Sequence, residues 1–200
     1  MSDLVNDLKP CSVIILAAGK SSRMKRPKFA LAFDENYTFL EKIIQEYDKF
    51  GCEEIIVVLN QEGISEVNRL NLVLKNSTIV VNEHPEWERF YSIQLGIQQL
   101  HTKHPVFIHN ADNPFVNLDI LKSMIALNGT PDYVVPSYKG IGGHPILISD
   151  TVCQAIVSEK NKACILSDFL KKFEQKRVVV NDEHILININ TKEIYKEYFG

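Results

Sequence analysis

Two short stretches of this chain carry side chains suited to phosphate chemistry. The first is Leu16 to Lys28, LAAGKSSRMKRPK, directly after a run of apolar residues. Ala17, Ala18 and Gly19 are small enough to let a ligand approach the backbone, and consecutive N–H groups in such a turn cradle phosphate oxygens. Arg23 offers a planar two-point grip and Lys28 a compact positive charge. By composition the same stretch also reads as a basic, solvated loop. Two familiar phosphate motifs fail here. The dinucleotide fingerprint needs three glycines and the loop has one; the P-loop needs a glycine where Ile14 stands, so Gly19-Lys20-Ser21 only imitates its end.

The second stretch is His109 to Phe115, HNADNPF. An apolar run ends in Asp112, placed either to hold a divalent cation against phosphate oxygens or to cap the turn begun by Asn113-Pro114. Asn110 and Asn113 read as loop formers. A third stretch, Gly140 to Pro145, sets three glycines beside His144, which either meets an acceptor phosphate or caps a strand. A fourth, Ile187 to Glu193, puts Asn188 and Asn190 where a strand meets a helix; an amide oxygen is either a neutral metal ligand or a cap. Trp87 and Tyr91 read as core or surface aromatics rather than a base platform. The six histidines are scattered, which argues against a histidine metal site.

These stretches need a scaffold. Ser12 to Ala17, Glu54 to Leu59, Thr78 to Val81 and Val106 to Ile108 read as buried strands. Between them, apolar stripes at helical spacing predict helices over 38–50, weakly over 64–71, and over 88–101. A helix follows over 117–127, then a strand over 132–136, a flexible loop over 140–143 and a strand over 145–148. Short helices over 150–157 and 166–173 and strands over 177–180 and 184–189 precede a last helix from Asn190 or Thr191. The alternation predicts a three-layer α/β/α fold with a mostly parallel, Rossmann-like sheet, some late strands running antiparallel. Its ligand crevice lies at the carboxyl ends of the strands, after Ala17 and after Ile108.

The whole is expected to be one domain of 200 residues, with residues 1–10 as a loose lead-in. A composition of 45% hydrophobic and 24% charged residues is that of a globular chain, and argues against disorder. A net charge of -3 does not advertise a nucleic-acid surface. No stretch is long enough to span a bilayer and no signal peptide is visible, so a cytoplasmic protein acting on small molecules, without a membrane, is expected. Cys11, Cys52, Cys153 and Cys164 lack zinc or redox spacing and read as reduced, mostly buried thiols.

The stretch Leu16 to Lys28 resembles the signature of the MobA-like nucleotidyltransferases, roughly LAAGxSxRMGxPK, departing only at Lys25. Asn110 to Val116 resembles that family's GDMPFV stretch. Gly143-His144-Pro145 resembles the RGHP stretch of the molybdenum-cofactor cytidylyltransferase branch, with Gly142 in place of its arginine. Ser92 to Gly96 stands where the family has a serine-containing helix start near the nucleotide. Asn188 to Thr191 resembles the NINTPED ending of the guanylyltransferase branch, and Lys160 to Cys164 is a poor copy of a GD-x-GAR stretch, without its arginine.

The resemblance implies attack of an acceptor phosphate on the α-phosphorus of a nucleoside triphosphate, with pyrophosphate leaving and Mg2+ offsetting charge. It implies Arg23, Lys28 and Asp112 as catalytic residues. Leu16, Ala17, Ala18 and Gly19, with Ser22, Arg23, Lys28 and Ser92, would bind nucleotide. Gly143, His144 and Pro145 would meet the acceptor, and Asp112 with Asn188, ahead of Asn190, the metal. The alanine pair favours CTP; the asparagine-rich ending favours GTP. Molybdopterin is one acceptor; a sugar, alditol or phosphonate is another, and a nucleotide-binding protein without catalysis is a third reading.

Overall fold

The computed structural model describes residues 9–19, 24, 26–127, 131–161 and 164–200. Strand β1 (Ser12–Leu16) lies between β2 (Glu54–Leu59) and β4 (Val106–Asn110), parallel to both, and β3 (Thr78–Val81) extends the parallel set beyond β2. On the other side, β7 (Ile146–Ile148) runs antiparallel between β4 and β5 (Tyr133–Tyr138). The short β6 (Ile141–Gly142) folds back on β5, and β8 (Gln175–Val179) pairs with β5 in parallel. The order is β3-β2-β1-β4-β7-β5-β6. After β1 the chain winds outward to β2 and β3, then returns to the other side of β1 as β4. That reversal opens a crevice between the carboxyl ends of β1 and β4.

Alternation along the strands builds two cores. Val13, Ile15, Val57, Leu59 and Phe107 face one way, toward helices α1 (Phe39–Phe50), α2 (Gln61–Leu70) and α4 (Leu118–Ala126). Ile14, Ile56, Val58 and Ile108 face the other, toward α3 (Glu88–Gln98), α5 (Asp150–Ser158) and α6 (Leu166–Leu170). This is the expected three-layer arrangement. Local chemistry sets the helix ends. Thr38 and Glu41 form a capping box at α1, and Gly51 closes it in the left-handed region at φ 93°. Asn60, Asn117, Ser149 and Thr191 cap α2, α4, α5 and α7 (Lys192–Phe199) through their side chains.

Two expectations are corrected. The segment 184–189 is not a strand: Glu183–Leu186 is a 3-10 turn and the following residues are extended without a ladder. Asp182 accepts from the His184 N–H and so starts the turn, while the backbone bonds beyond go to loop ends: the His144 N–H donates to Ile185 and the Ile189 N–H to Asp112. The glycine-rich 140–143 is not simply a flexible loop; it is the turn and short strand of a hairpin, with Gly140 at φ 83° and Ile141 paired to Tyr138. The thiols are free; Cys11 and Cys153 are buried, while Cys52 and Cys164 are partly exposed. Among the described residues, no helix is long and apolar enough to cross a membrane.

Candidate active site

The crevice is a cavity of about 680 Å3. It is lined by the β1 loop, Leu16 to Gly19, with Lys28 and Phe29; by Asp112, Asn188 and Asn190; and by the start of α3. Two strand ends set the β1 loop. The Ala17 N–H donates to Val58 and the Ala111 N–H to Leu16, so both loops leave the sheet in register. Asn60, at the end of β2, donates its amide to the Ala18 carbonyl while its oxygen caps α2. The Ala17 N–H is therefore taken, and a cradle of loop N–H groups begins no earlier than Ala18. Ser22 and Arg23 lie outside the described residues.

Lys28 opens a 3-10 turn, Lys28–Ala30, whose Phe29 and Ala30 are buried. α7 braces this region from outside: the Tyr195 hydroxyl donates to Ala32, and Phe199 packs on Phe33 and Phe39 at ring distances of 5.4 and 4.9 Å. The Lys28 ammonium spans the crevice to Asp112, with Nζ 2.9 Å from Oδ2, and donates to the Asn190 side-chain oxygen as well.

Asp112 is held by its own backbone, whose carbonyl accepts from Ile189. Ile189 is fully buried, so alternation along this extended stretch turns Asn188 and Asn190 toward the cavity. A buried relay fixes the same segment. The Tyr47 hydroxyl donates to Nδ1 of His109 at 2.9 Å, and His109 Nε2 donates to the Asn113 carbonyl at 2.7 Å. The Asn113 amide donates in turn to the carbonyls of His184 and Ile187. Burial lowers the His109 pKa to about 4, so the ring stays neutral and holds this tautomer. In the sequence His109 is one of six scattered histidines and Asn113 reads as a loop former; their neighbours give no hint of a relay.

The residues present fit a hard cation. Asp112 supplies a carboxylate, and the Asn188 Oδ1 is buried with no hydrogen-bond partner, an acceptor awaiting a positive group. Both donors are oxygen, the preference of Mg2+, which commonly binds one or two carboxylates plus substrate phosphates. Among the described residues there is no cluster of three or more His, Cys, Asp or Glu to hold a metal by protein alone. Lys28 engages both Asp112 and the Asn190 oxygen, whereas the Asn188 oxygen has no partner.

Of the three residues expected at the acceptor, only His144 lines the cavity. Gly143 instead packs on the 3-10 turn: a Cβ there would fall 2.5 Å from the Ile185 carbonyl oxygen. Ser92 lines the cavity, but its hydroxyl accepts from Asn82 and donates to the Glu88 carbonyl. Trp87 stacks on His84 at 4.1 Å and meets Tyr91 edge-on, a partly exposed cluster beside the cavity mouth. Arg89, Glu86, Glu88 and Asn110 also line the cavity, although Asn110 reads from the sequence as a loop former. No local pattern marks them; the fold alone brings α3 here. Gly96 helps, since a Cβ on it would fall 2.6 Å from Ile14 Cγ2, and its absence seats α3 close on β1.

Residues 13–178 match the family model of the MobA-like NTP transferase domain. The chain belongs to the MobA-like NTP transferase family. It is 29% identical over 185 residues to the molybdenum cofactor cytidylyltransferase of Escherichia coli K12, covering 90% of this chain and 91% of that protein. It is 26% identical over 190 residues to a probable molybdenum cofactor guanylyltransferase of Clostridium perfringens, with 94% and 89% covered. A 2-C-methyl-D-erythritol 4-phosphate cytidylyltransferase of Caldicellulosiruptor bescii is 29% identical over 148 residues, spanning 72% of this chain and 61% of that protein. The solved structure of Rv0371c from Mycobacterium tuberculosis H37Rv superposes with a TM-score of 0.78 at 20% identity, over 94% of this chain and 97% of that one. The MobA-like fold and domain are those of nucleotidyltransferase enzymes, which use a nucleoside triphosphate and a divalent metal.

Proposed function

We propose that this enzyme moves a nucleoside monophosphate, CMP from CTP ahead of GMP from GTP, onto the phosphate of a small phosphorylated acceptor and releases pyrophosphate. The observation that carries the reading is the convergence of the β1 loop, Lys28 and Asp112 on one cavity. The Ala17-Ala18 pair supports CTP, as do the names of the Escherichia coli and Caldicellulosiruptor relatives. Those two names point to different acceptors, a molybdenum cofactor and a phosphorylated polyol. We therefore favour a phosphorylated sugar, alditol or related small molecule beside molybdopterin rather than molybdopterin alone. The missing arginines at Gly142 and Cys164 support this breadth, because losing an acceptor contact changes specificity more readily than chemistry.

In this reading Ala18 and Gly19 back the triphosphate, and Arg23 supplies a two-point grip on it. Asp112 and Asn188 hold Mg2+, which when bound neutralises charge on the phosphates. The Lys28 ammonium lies within reach of the same oxygens and stabilises the charge that grows as pyrophosphate departs. Positioning and electrostatics suffice, and no protein nucleophile is needed. Phosphorus NMR of protein, Mg2+, CTP or GTP and a panel of phosphorylated acceptors tests it. The expected result is a new diphosphate linkage with one donor base, abolished by Asp112→Asn. A product formed equally well by Asp112→Asn overturns the assignment of Asp112.

A further inference from the structure

The wall formed by the start of α3 holds a charge the reaction scheme above does not use. Arg89 sits in the first turn of α3 and lines the cavity. Its Nε is buried without a hydrogen-bond partner. Glu86 and Glu88 line the same wall, both largely exposed, and the carboxylate that acts on Arg89 is Asp112, through space. A desolvated guanidinium without a bonded anion is costly, and its planar donors match a tetrahedral oxyanion.

His144 supplies a second donor. The Asn110 amide donates to its Nε2 at 3.3 Å, so the ring proton of the neutral imidazole is on Nδ1, and Nδ1 is buried with no partner. Burial and the nearby Arg89 charge lower its pKa to about 4, which keeps that tautomer neutral through physiological pH. One cavity thus presents two buried, unanswered donors, one charged, near Asp112.

We infer that Arg89 and the Nδ1–H of His144 form a recognition point for a phosphate-type anion, and that this anion is the phosphate of the acceptor. The inference rests on the proposed nucleotidyl transfer, in which the β1 loop and Lys28 already take the triphosphate. An acceptor phosphate seated between Arg89 and His144 lies in the same cavity as the β1 loop, Lys28 and Asp112. Its free oxygen is then presented to the α-phosphorus: the new O–P bond forms there and the bond to pyrophosphate breaks. The site selects substrates ending in a phosphate monoester or phosphonate over neutral alcohols, because a neutral group leaves Arg89 unpaired.

The probe is inorganic phosphate, followed through the fluorescence of Trp87, the chain's single tryptophan, which stands two residues before Arg89. Titrations are run on the full chain alone and with Mg2+ and α,β-methylene CTP or GTP bound. Arg89→Met is expected to weaken phosphate binding by about tenfold or more and to leave analogue affinity within about twofold; Arg89→Lys, which keeps charge but loses the fork, falls between. Phosphate is expected to bind with the analogue in place. Unchanged phosphate affinity in a folded Arg89→Met protein overturns the site. Competition between phosphate and analogue, with both weakened alike, assigns the anion to the nucleotide and overturns the acceptor claim. Analogues that never bind, while phosphate binds and needs Arg89, sink the nucleotidyl-transfer reading and leave the anion site standing.

Discussion

Lys28 stands where a cation would be expected to enter. Its ammonium is 2.9 Å from Asp112 Oδ2, with the two side chains 19% and 22% exposed. At an effective dielectric constant of about 20, unit charges this close attract by about 4 kcal/mol or somewhat more. Desolvation and the ordering of a long side chain cancel much of that, leaving a net of about 1–2 kcal/mol for a partly buried pair. A divalent ion binding Asp112 without nucleotide must displace this ammonium. Lys28→Met removes the competitor, so the nucleotide-free protein should bind Mn2+ roughly five- to thirty-fold more tightly, the equivalent of that energy. Electron paramagnetic resonance of free Mn2+ measures the affinity directly. The same variant should lose turnover, because the charge that would stabilise departing pyrophosphate is gone. Tighter metal with weaker catalysis is a signature that simple unfolding does not produce, and Asp112→Asn should abolish the gain. Mn2+ affinity that is unchanged or lower in folded Lys28→Met would refute the competition and with it the placing of the metal at Asp112.

Other outcomes follow from the same geometry. Gly143→Ala drives a Cβ into the Ile185 carbonyl at 2.5 Å, and Gly96→Ala drives one into Ile14 at 2.6 Å; each should lower stability by about 1–3 kcal/mol, read as a shift in urea midpoint. The softer side-chain contact at Gly96 should yield more than the backbone contact at Gly143. His109 and His144 both fall to about 4 in the folded protein, below the ordinary histidine value near 6.5. The unfolded chain therefore binds more protons between these values, so stability is complete above about pH 6.5 and declines as pH falls toward about 4. Denaturant melts across that window check it, and His144→Gln should flatten part of the decline. Burial raises the Cys153 thiol to about 12, and the Cys52 thiol is raised by its hydrogen bond to Cys11, 3.6 Å away, and by burial. Iodoacetamide at pH 8 should label Cys164 well before the other three, as mass spectrometry of the native protein would show.

What the sequence discloses depends on whether a feature is contiguous. The β1 loop, Lys28 and Asp112 are legible because strand, turn and charge follow one another in order, and their positions at two strand ends follow from the alternation of helices and strands. The parallel half of the sheet is legible for the same reason: each strand is an apolar run bounded by turn residues. The later part is harder. Ile185, Ile187 and Ile189 alternate as a strand would, yet the Asp182 side chain turns the backbone and its hydrogen bonds go to Asp112 and His144 loops rather than to a neighbour in the sheet. The Tyr47–His109–Asn113 relay spans 66 positions of sequence, and nothing local announces it. Arg89 looks like any surface residue of an amphipathic helix. Only the packing of Gly96 on Ile14, which brings α3 against the crevice, makes its guanidinium a buried charge. Chemistry built from one strand end can be read directly; chemistry built from three-dimensional convergence cannot.

The central claim is nucleotidyl transfer onto a phosphorylated acceptor. Its most direct test is pyrophosphate release by the full chain with Mg2+, CTP and GTP offered separately, against molybdopterin and a panel of sugar, alditol and phosphonate acceptors, each beside its dephosphorylated counterpart. Release that requires both one donor base and a phosphorylated acceptor, and that disappears in Lys28→Met, is the predicted result. Tight nucleotide binding with no pyrophosphate above background for any acceptor would contradict it and make this chain a nucleotide-binding protein on a transferase fold.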